Sequence, residues 1–160
     1  MRSQAFRQRP GTVAWVNFLR AHSAVTRALN ADLVQSHGLT INDYEVLLLL
    51  SRAPDERMRR VDLAASVMLS PSGITRLLEG LERAGYVCKR RCDSDARVTY
   101  AVLTDAGLEK LREASDPHVS GVRALFEDRF TDEELETLAE LLSRLTADGA
   151  ADGDCSAPED

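Results

Sequence analysis

Between Ser70 and Arg76 the chain gathers hydroxyl groups, a glycine and a guanidinium group within a single short stretch. Hydroxyl and guanidinium groups hydrogen-bond to the phosphate oxygens and base edges of nucleic acids. From Ile74 to Leu81 apolar residues recur at i, i+3, i+4 and i+7, which predicts a helix with one buried face. The other face, with small polar residues and an arginine, suits the major groove of DNA. The residues that we predict to face DNA from this helix are Ser70, Ser72, Gly73, Thr75 and Arg76, with Arg76 directed at a base edge.

The elements around this helix predict how it is positioned. Ser70 is a favourable N-cap, and Gly85 is a typical residue to end the helix. A shorter helical pattern, Val61 to about Met68, precedes it. Two strand-like runs, 86–92 and 98–103, follow it on either side of a charged tip. The order helix, helix, hairpin predicts a winged helix-turn-helix, within a mainly α-helical fold.

This part of the chain resembles the MarR family of bacterial transcription regulators. The residues that carry the resemblance are LAASVMLSPSGITRLLEGLERAGYV (63–87), the wing DSDAR (93–97) and VLTDAG (102–107). The flanking helical patterns extend it over about Val13 to Leu145. The resemblance implies a homodimer that binds a palindromic operator in double-stranded DNA, most often as a repressor, and that a small-molecule effector releases.

The resemblance also assigns roles in the predicted wing. Arg97 matches the arginine that enters the minor groove, and Asp95 matches the acidic residue that steadies it. Ala96 departs from the family pattern, in which a further arginine often stands between them, so one basic contact is missing. Three more arginines near the motif are predicted to contact phosphates, namely Arg59, Arg60 and Arg91.

The charge distribution supports this interpretation. The chain as a whole carries a net charge of −6. Nine basic and five acidic residues between Arg57 and Arg97 give 9 − 5 = +4, and the remainder gives 11 − 21 = −10. Positive charge concentrated on one segment is what phosphate contact requires. The acidic balance and Ala96 leave an alternative open, a winged-helix protein-interaction module that does not bind DNA.

Long helical patterns flank the predicted DNA-binding lobe. Thr12 is a candidate N-cap for the first, which ends at His37-Gly38, and Thr40 begins the next with Asp43 as capping-box partner. Thr104 begins a helix that Pro117 is expected to kink or break. A capping box at residues 131–134 begins the last helix. The predicted organisation is a flexible arm (1–12), a MarR-type domain (13–146) with a DNA-binding lobe (40–103) and dimerisation helices (13–36 and 104–146), and a disordered acidic tail (147–160).

Two further sets of residues are candidate sensing sites. The family places effectors between the dimerisation helices and the winged lobe, and a phenolic or carboxylate ligand there would meet aromatic surface and a few polar anchors. The residues predicted to line this site are Trp15, His22, Arg27, Tyr44 and Glu45, although core packing explains each one taken singly. Cys88 and Cys92 lie four apart on one strand, about 13 Å between Cα atoms, which excludes a disulfide between them. An oxidant-sensing cysteine remains an alternative hypothesis, because neighbouring basic residues lower a thiol pKa.

Other classes of function find no support in the sequence. It contains no metal-ligand cluster, phosphate-binding loop or nucleophile motif, and the histidines have no evident catalytic partner. We therefore expect neither an enzyme nor a cofactor. No apolar run is long enough to span a bilayer, and the N-terminus lacks the apolar core of a signal peptide. The expected location is the cytoplasm.

Overall fold

The computed structural model describes residues 9–91 and 98–146. Within them it contains the predicted mainly helical fold with a small antiparallel sheet. The chain divides into two compact units, 1–121 and 122–160, each considered by itself. The described elements are α1 (Pro10–His37), α2 (Ile41–Arg52), a short 3-10 turn (Pro54–Glu56), β1 (Arg57–Arg59), α3 (Arg60–Ser66), α4 (Pro71–Arg83), β2 (Val87–Arg91), β3 (Thr99–Leu103), α5 (Asp105–Glu127) and α6 (Asp132–Thr146).

Helix α1 begins earlier than the sequence predicted. Arg9, not Thr12, is the N-cap, and Pro10 occupies the first helical position, where its fixed φ and missing N–H cost nothing. Residues 10–12, which the sequence assigned to the flexible arm, therefore belong to the helix. The first eight residues of the chain lie outside the described part. The predicted C-terminal stop is confirmed, because Gly38 adopts the left-handed conformation with φ 68°.

Helix α2 lies at the centre of the first unit, as its nearly all-round apolar pattern predicted. The capping box at its start is confirmed: the Asp43 N–H donates to Thr40 Oγ1 (3.2 Å), and the Thr40 N–H donates to Asp43 Oδ2 (2.9 Å). The helix is packed against residues from α3, α4, the sheet and α5 in one continuous core. Its buried residues are Tyr44, Val46, Leu47 and Leu50.

The sheet contains one strand more than the sequence predicted. Arg57–Arg59 was interpreted as the approach to a helix, but it forms β1 and pairs antiparallel with β3, with Arg57 opposite Val102. The strand order is β1-β3-β2. Strands β2 and β3 form the predicted hairpin, with Val87 opposite Leu103. Helix α3 then starts at Arg60 with no side-chain cap, as expected for a helix preceded by arginine.

The start of α5 is anchored on the beginning of β2. The Thr104 hydroxyl donates to the Gly85 carbonyl (2.7 Å) and accepts from the Gly107 N–H (3.1 Å), so Thr104 caps the helix as predicted. The Thr104 N–H donates to the Tyr86 carbonyl oxygen (3.1 Å). A Cβ added to Gly107 would lie 2.1 Å from that same oxygen. Only glycine therefore permits this close approach between helix and strand.

The sequence predicted a kink or a break near Pro117, and the break is wrong because α5 is one helix from Asp105 to Glu127; the kink stays a prediction. A proline in a helix removes the hydrogen bond to the carbonyl four residues earlier, here that of Glu113. Glu113 is exposed, so this turn of the helix borders solvent. The turn before the proline is held by Leu111 and Ala114, which are both buried.

In the second unit, α6 begins with the predicted capping box. The Thr131 N–H donates to Glu134 Oε2 (2.9 Å), and the Glu134 N–H donates to Thr131 Oγ1 (3.3 Å). The rings of Phe126 and Phe130 lie 6.5 Å apart just before it. The apolar stripe of α6 is largely uncovered, with Leu145 73% exposed.

Candidate nucleic-acid interface

Helix α4 is held by a cap at its start and by one buried face. Ser70 Oγ accepts from the Gly73 N–H (3.1 Å), and Pro71 follows at the first helical position. A Cβ at Gly73 would lie 3.2 Å from Ser70 Oγ, so the space at this glycine is limited by the cap itself. The face that packs on the core consists of Ile74, Leu78 and Leu81. This confirms the predicted register of the helix.

The opposite face of α4 is exposed and polar. Ser72 and Arg76 are exposed, and Thr75 is partly buried with its hydroxyl donating to the Pro71 carbonyl (2.7 Å). Within the described residues, Arg76 forms no hydrogen bond or ion pair. Its guanidinium donors are therefore available for an external acceptor, and a guanidinium fits the O6 and N7 of guanine with two parallel hydrogen bonds.

The two arginines at the start of α3 have different surroundings. The Arg59 guanidinium is paired with Asp62 through two hydrogen bonds, Nε to Oδ2 (2.7 Å) and Nη2 to Oδ1 (3.0 Å). A phosphate contact by Arg59 would have to share or replace that carboxylate. Arg60 Nη1 reaches Thr75 Oγ1 (3.4 Å), which places a second guanidinium beside the exposed face of α4.

The hairpin adds positive charge next to this helix. Lys89 Nζ is paired with Glu82 Oε2 (2.7 Å), whereas Arg90 and Arg91 are exposed on β2. The predicted minor-groove pair, Asp95 and Arg97, lies outside the described residues, and so do Cys92 and Cys155. Cys88 is free and partly buried on β2, opposite Val102. Its proposed role in oxidant sensing stays a prediction.

The predicted effector residues on α1 are spread along the helix. Trp15 is 59% exposed and stacks on Phe18 with centroids 6.3 Å apart, and Phe18 lies 6.4 Å from the His22 ring. Arg27 is exposed further along the same helix. Because a helix rises about 1.5 Å per residue, Trp15 and Arg27 are separated by roughly 18 Å along α1.

Tyr44 belongs instead to the core. It is 6% exposed, its ring lies 4.5 Å from that of His118, and its hydroxyl is 3.3 Å from Ser115 Oγ. Glu45, the next residue, is partly buried. The core interpretation that the sequence left open for Tyr44 is therefore correct.

A pair of histidines that the sequence did not single out lines a small cavity. The cavity, about 40 Å³, lies between α1 and α5 and includes Asp32, His37 and His118 in its lining. His37 Nε2 and His118 Nδ1 are buried and have no hydrogen-bond partner in the part of the chain that the structure describes. Burial lowers the pKa of the His118 imidazole, because desolvation disfavours its charged form. His37 is the last residue of α1 and His118 lies in the middle of α5, so only the packing of α1 on α5 brings the two histidines together.

Metal-ligating and membrane-spanning features are absent from the described ranges. No group of three or more histidine, cysteine, aspartate or glutamate side chains there is placed to hold a metal ion. None of the described helices is both long and apolar enough to cross a bilayer.

Comparisons with known proteins agree with the winged-helix geometry. The family of transcriptional regulators SarA/Rot matches residues 29–114, which is more than half of the chain. The transcriptional repressor YetL of Bacillus subtilis is 32% identical over 108 residues, which are 68% of this chain and 64% of YetL. The chain thus spans less than two thirds of the length of that relative.

Two crystal structures from Streptomyces coelicolor share the fold over nearly the whole chain. AbsC, a MarR family transcriptional regulator, is 37% identical with a TM-score of 0.76, covering 88% of this chain and 94% of AbsC. A second MarR family regulator, solved in complex with DNA, is 30% identical with a TM-score of 0.77, covering 91% of both chains. The family that these comparisons identify consists of transcription regulators, which are not enzymes. The chain belongs to the MarR family of winged-helix transcription regulators.

Proposed function

We propose that the protein is a homodimeric repressor that binds a palindromic operator and is released by a small phenolic or carboxylate effector. The DNA-binding part of this proposal rests on the exposed face of α4. Its cap and buried face fix the helix, and its Arg76 side chain has no partner within the described residues. A helix presented in this way inserts into a major groove and reads base edges. The DNA complex of the Streptomyces coelicolor relative supports the same proposal.

The uncovered apolar surface of α1 supports a homodimer. Single exposed apolar residues are common, but a contiguous group indicates an interaction surface. Two-fold symmetry would pair two α4 helices with half-sites about one helical turn apart, which predicts a palindromic operator. The large apolar residues that the first ten residues of α1 expose are Val13, Trp15, Val16, Phe18 and Leu19.

The effector site is proposed to need both subunits. Trp15, His22 and Arg27 are exposed on α1, whereas Tyr44 of the same chain is buried. A second α1 packed on the first would add aromatic surface and cationic groups that one chain lacks. The proposed dimer would have two arrangements, one that binds DNA and one that does not. An effector bound at this site would release DNA only if its affinities for the two arrangements differed.

A DNA-binding titration tests the proposal. Genomic fragments retained by the protein are selected and labelled, and anisotropy gives the Kd across a salt series. We expect a palindromic segment to bind much more tightly than random DNA of equal length, with affinity falling steeply as salt rises. Arg76→Ala should weaken binding by roughly 10- to 100-fold, since a bidentate base contact contributes about 1–3 kcal/mol.

Arg112→Ala is the matched control, because it removes the same charge from an exposed position on α5. It should change the Kd less than about twofold, as expected for a surface charge away from the interface. Equal effects of the two substitutions would mean that α4 does not read bases. Binding no tighter than to random DNA would favour the protein-interaction module. Sedimentation of the free protein as a single chain would contradict the homodimer.

A further inference from the structure

The turn between α3 and α4 holds a long apolar side chain out in solvent. Met68 is 90% exposed, the largest exposed fraction among the large apolar residues in the described part of the chain. Its backbone is also left-handed, with φ 51°. Glycine adopts this conformation freely, whereas a residue with a Cβ adopts it at a cost. Neither the exposure of Met68 nor its conformation therefore stabilises the fold.

Backbone hydrogen bonds explain why the residue at this position must be left-handed. The Leu69 N–H donates to the Ala64 carbonyl oxygen at 3.0 Å. The Met68 N–H donates to the Ala65 carbonyl oxygen at 3.3 Å. This pair of bonds is the Schellman motif, which ends a helix and requires a left-handed residue after the C-cap, here Val67. Glycine would satisfy the motif with less strain, so the fold accounts for the conformation but not for the methionine.

The position of Met68 along the chain places it at the start of α4. It stands two residues before Ser70, the N-cap of that helix. The hydroxyl groups there are already engaged within the protein, because Ser70 Oγ accepts from the Gly73 N–H and lies 3.1 Å from Ser72 Oγ. When such a helix enters the major groove, its N-terminal residues meet base edges. The apolar group that those edges present is the C5-methyl group of thymine.

We propose that Met68 reads a thymine by packing its side chain against the C5-methyl group of that base in the major groove. The inference rests on the proposed binding of DNA by α4, and it adds a base preference at one position of each half-site. The unbranched methionine side chain adapts to the surface that it covers. The strain and the exposure of Met68 in the free protein are then both explained by the bound state, in which the side chain is covered.

Deoxyuridine substitution tests the contact, because deoxyuridine lacks only the C5-methyl group of thymidine. The probe is a duplex that the full wild-type chain selects from a library of random sequences. Each thymidine is replaced in turn, and anisotropy gives the Kd of each duplex. We expect replacement at one position of the half-site to weaken binding by the wild type about fourfold, the effect of one buried methyl group. The same replacement should not change the Kd of the Met68→Gly variant, and equal losses for the two proteins would overturn the proposal.

A stability measurement separates a contact with DNA from a role in folding. Met68→Gly should raise the urea midpoint by roughly 0.5 M, because it relieves the left-handed strain. The same variant should bind the selected duplex about fivefold more weakly, because the apolar contact is lost. A variant that was more stable and bound the duplex as tightly as the wild type would overturn the proposal. Met68→Leu keeps an apolar side chain and should still discriminate thymidine from deoxyuridine about twofold; equal binding of the two duplexes would show that an apolar contact is not what is read.

Glu56→Gly is the matched control, because Glu56 is also exposed and left-handed, with φ 52°. It should keep the discrimination between thymidine and deoxyuridine. Loss of that discrimination would mean that relief of backbone strain alone disturbs DNA binding, and it would overturn the proposal. A wild-type protein that selects no sequence would refute DNA reading by α4 and this inference together. A selected duplex that Arg76→Ala binds weakly, and that Met68→Gly binds as tightly as the wild type, would refute this inference alone.

Discussion

Replacement of Gly107 by alanine tests how α5 is anchored on the start of the wing. An added Cβ would lie 2.1 Å from the Tyr86 carbonyl oxygen and 2.9 Å from Leu103 Cδ1. Even a close carbon–oxygen contact is usually about 3.3 Å long, so the overlap is roughly 1.2 Å. The nearest atom, the Tyr86 carbonyl oxygen, belongs to the backbone, and it also accepts a hydrogen bond from the Thr104 N–H. The clash can be relieved only by moving the first turn of α5 or the start of β2.

The expected cost follows from three contributions. Overpacking costs about 1–3 kcal/mol, and weakening the Thr104 hydrogen bond costs about 0.5–1.5 kcal/mol. The better helix propensity of alanine stabilises the folded protein by up to about 1 kcal/mol and offsets part of this loss. We therefore expect Gly107→Ala to lower the free energy of unfolding by about 2 kcal/mol, the sum of central values for these terms.

Urea unfolding at one fixed protein concentration measures this difference, because the stability of an oligomer depends on concentration. With an m-value of about 2 kcal/mol/M, the midpoint should fall by roughly 1 M. Gly80→Ala is the matched control, since a Cβ there meets nothing within 4 Å, and it should stabilise by about 0.5–1 kcal/mol. If Gly107→Ala were as stable as Gly80→Ala, the close approach of helix and strand would be refuted.

Three further perturbations test the packing and the electrostatics of the first unit. Thr104→Val removes the hydroxyl that caps α5 and should destabilise by about 1 kcal/mol in the same urea assay; an unchanged midpoint would show that the cap contributes nothing. Leu63→Ala, at a position with 0% exposure, should cost about 2–5 kcal/mol, and a loss below about 1 kcal/mol would contradict its burial. The folded-state pKa of His118 is lowered, so the unfolded chain takes up a proton first as pH falls through 6.5, and stability decreases there. His118→Gln should remove this part of the pH dependence of the urea midpoint, and a pH profile identical to that of the wild type would refute it.

The features that the sequence predicted correctly are those that depend on neighbours along the chain. The buried face of α4 follows from apolar spacing, and its start follows from Ser70 and Pro71. The same holds for the capping boxes of α2 and α6. Each is a contact between residues three or four apart, so no knowledge of the tertiary structure is needed to predict it.

The features that the sequence did not predict depend on residues distant in the chain. Arg57–Arg59 becomes a strand only because β3 lies beside it. The need for glycine at position 107 arises from a carbonyl on another element. Tyr44 belongs to the core because α5 covers it with His118 and Ser115.

The sequence by itself therefore determined the family, the order of helices and the helix predicted to face DNA. Only the tertiary structure decided which arginines are already paired, where α5 meets the wing, and which side chains line each cavity. The physical reason is that periodicity and capping act over one or two turns of chain. Ion pairs, close backbone approaches and cavities are formed between surfaces that meet only when the chain has folded.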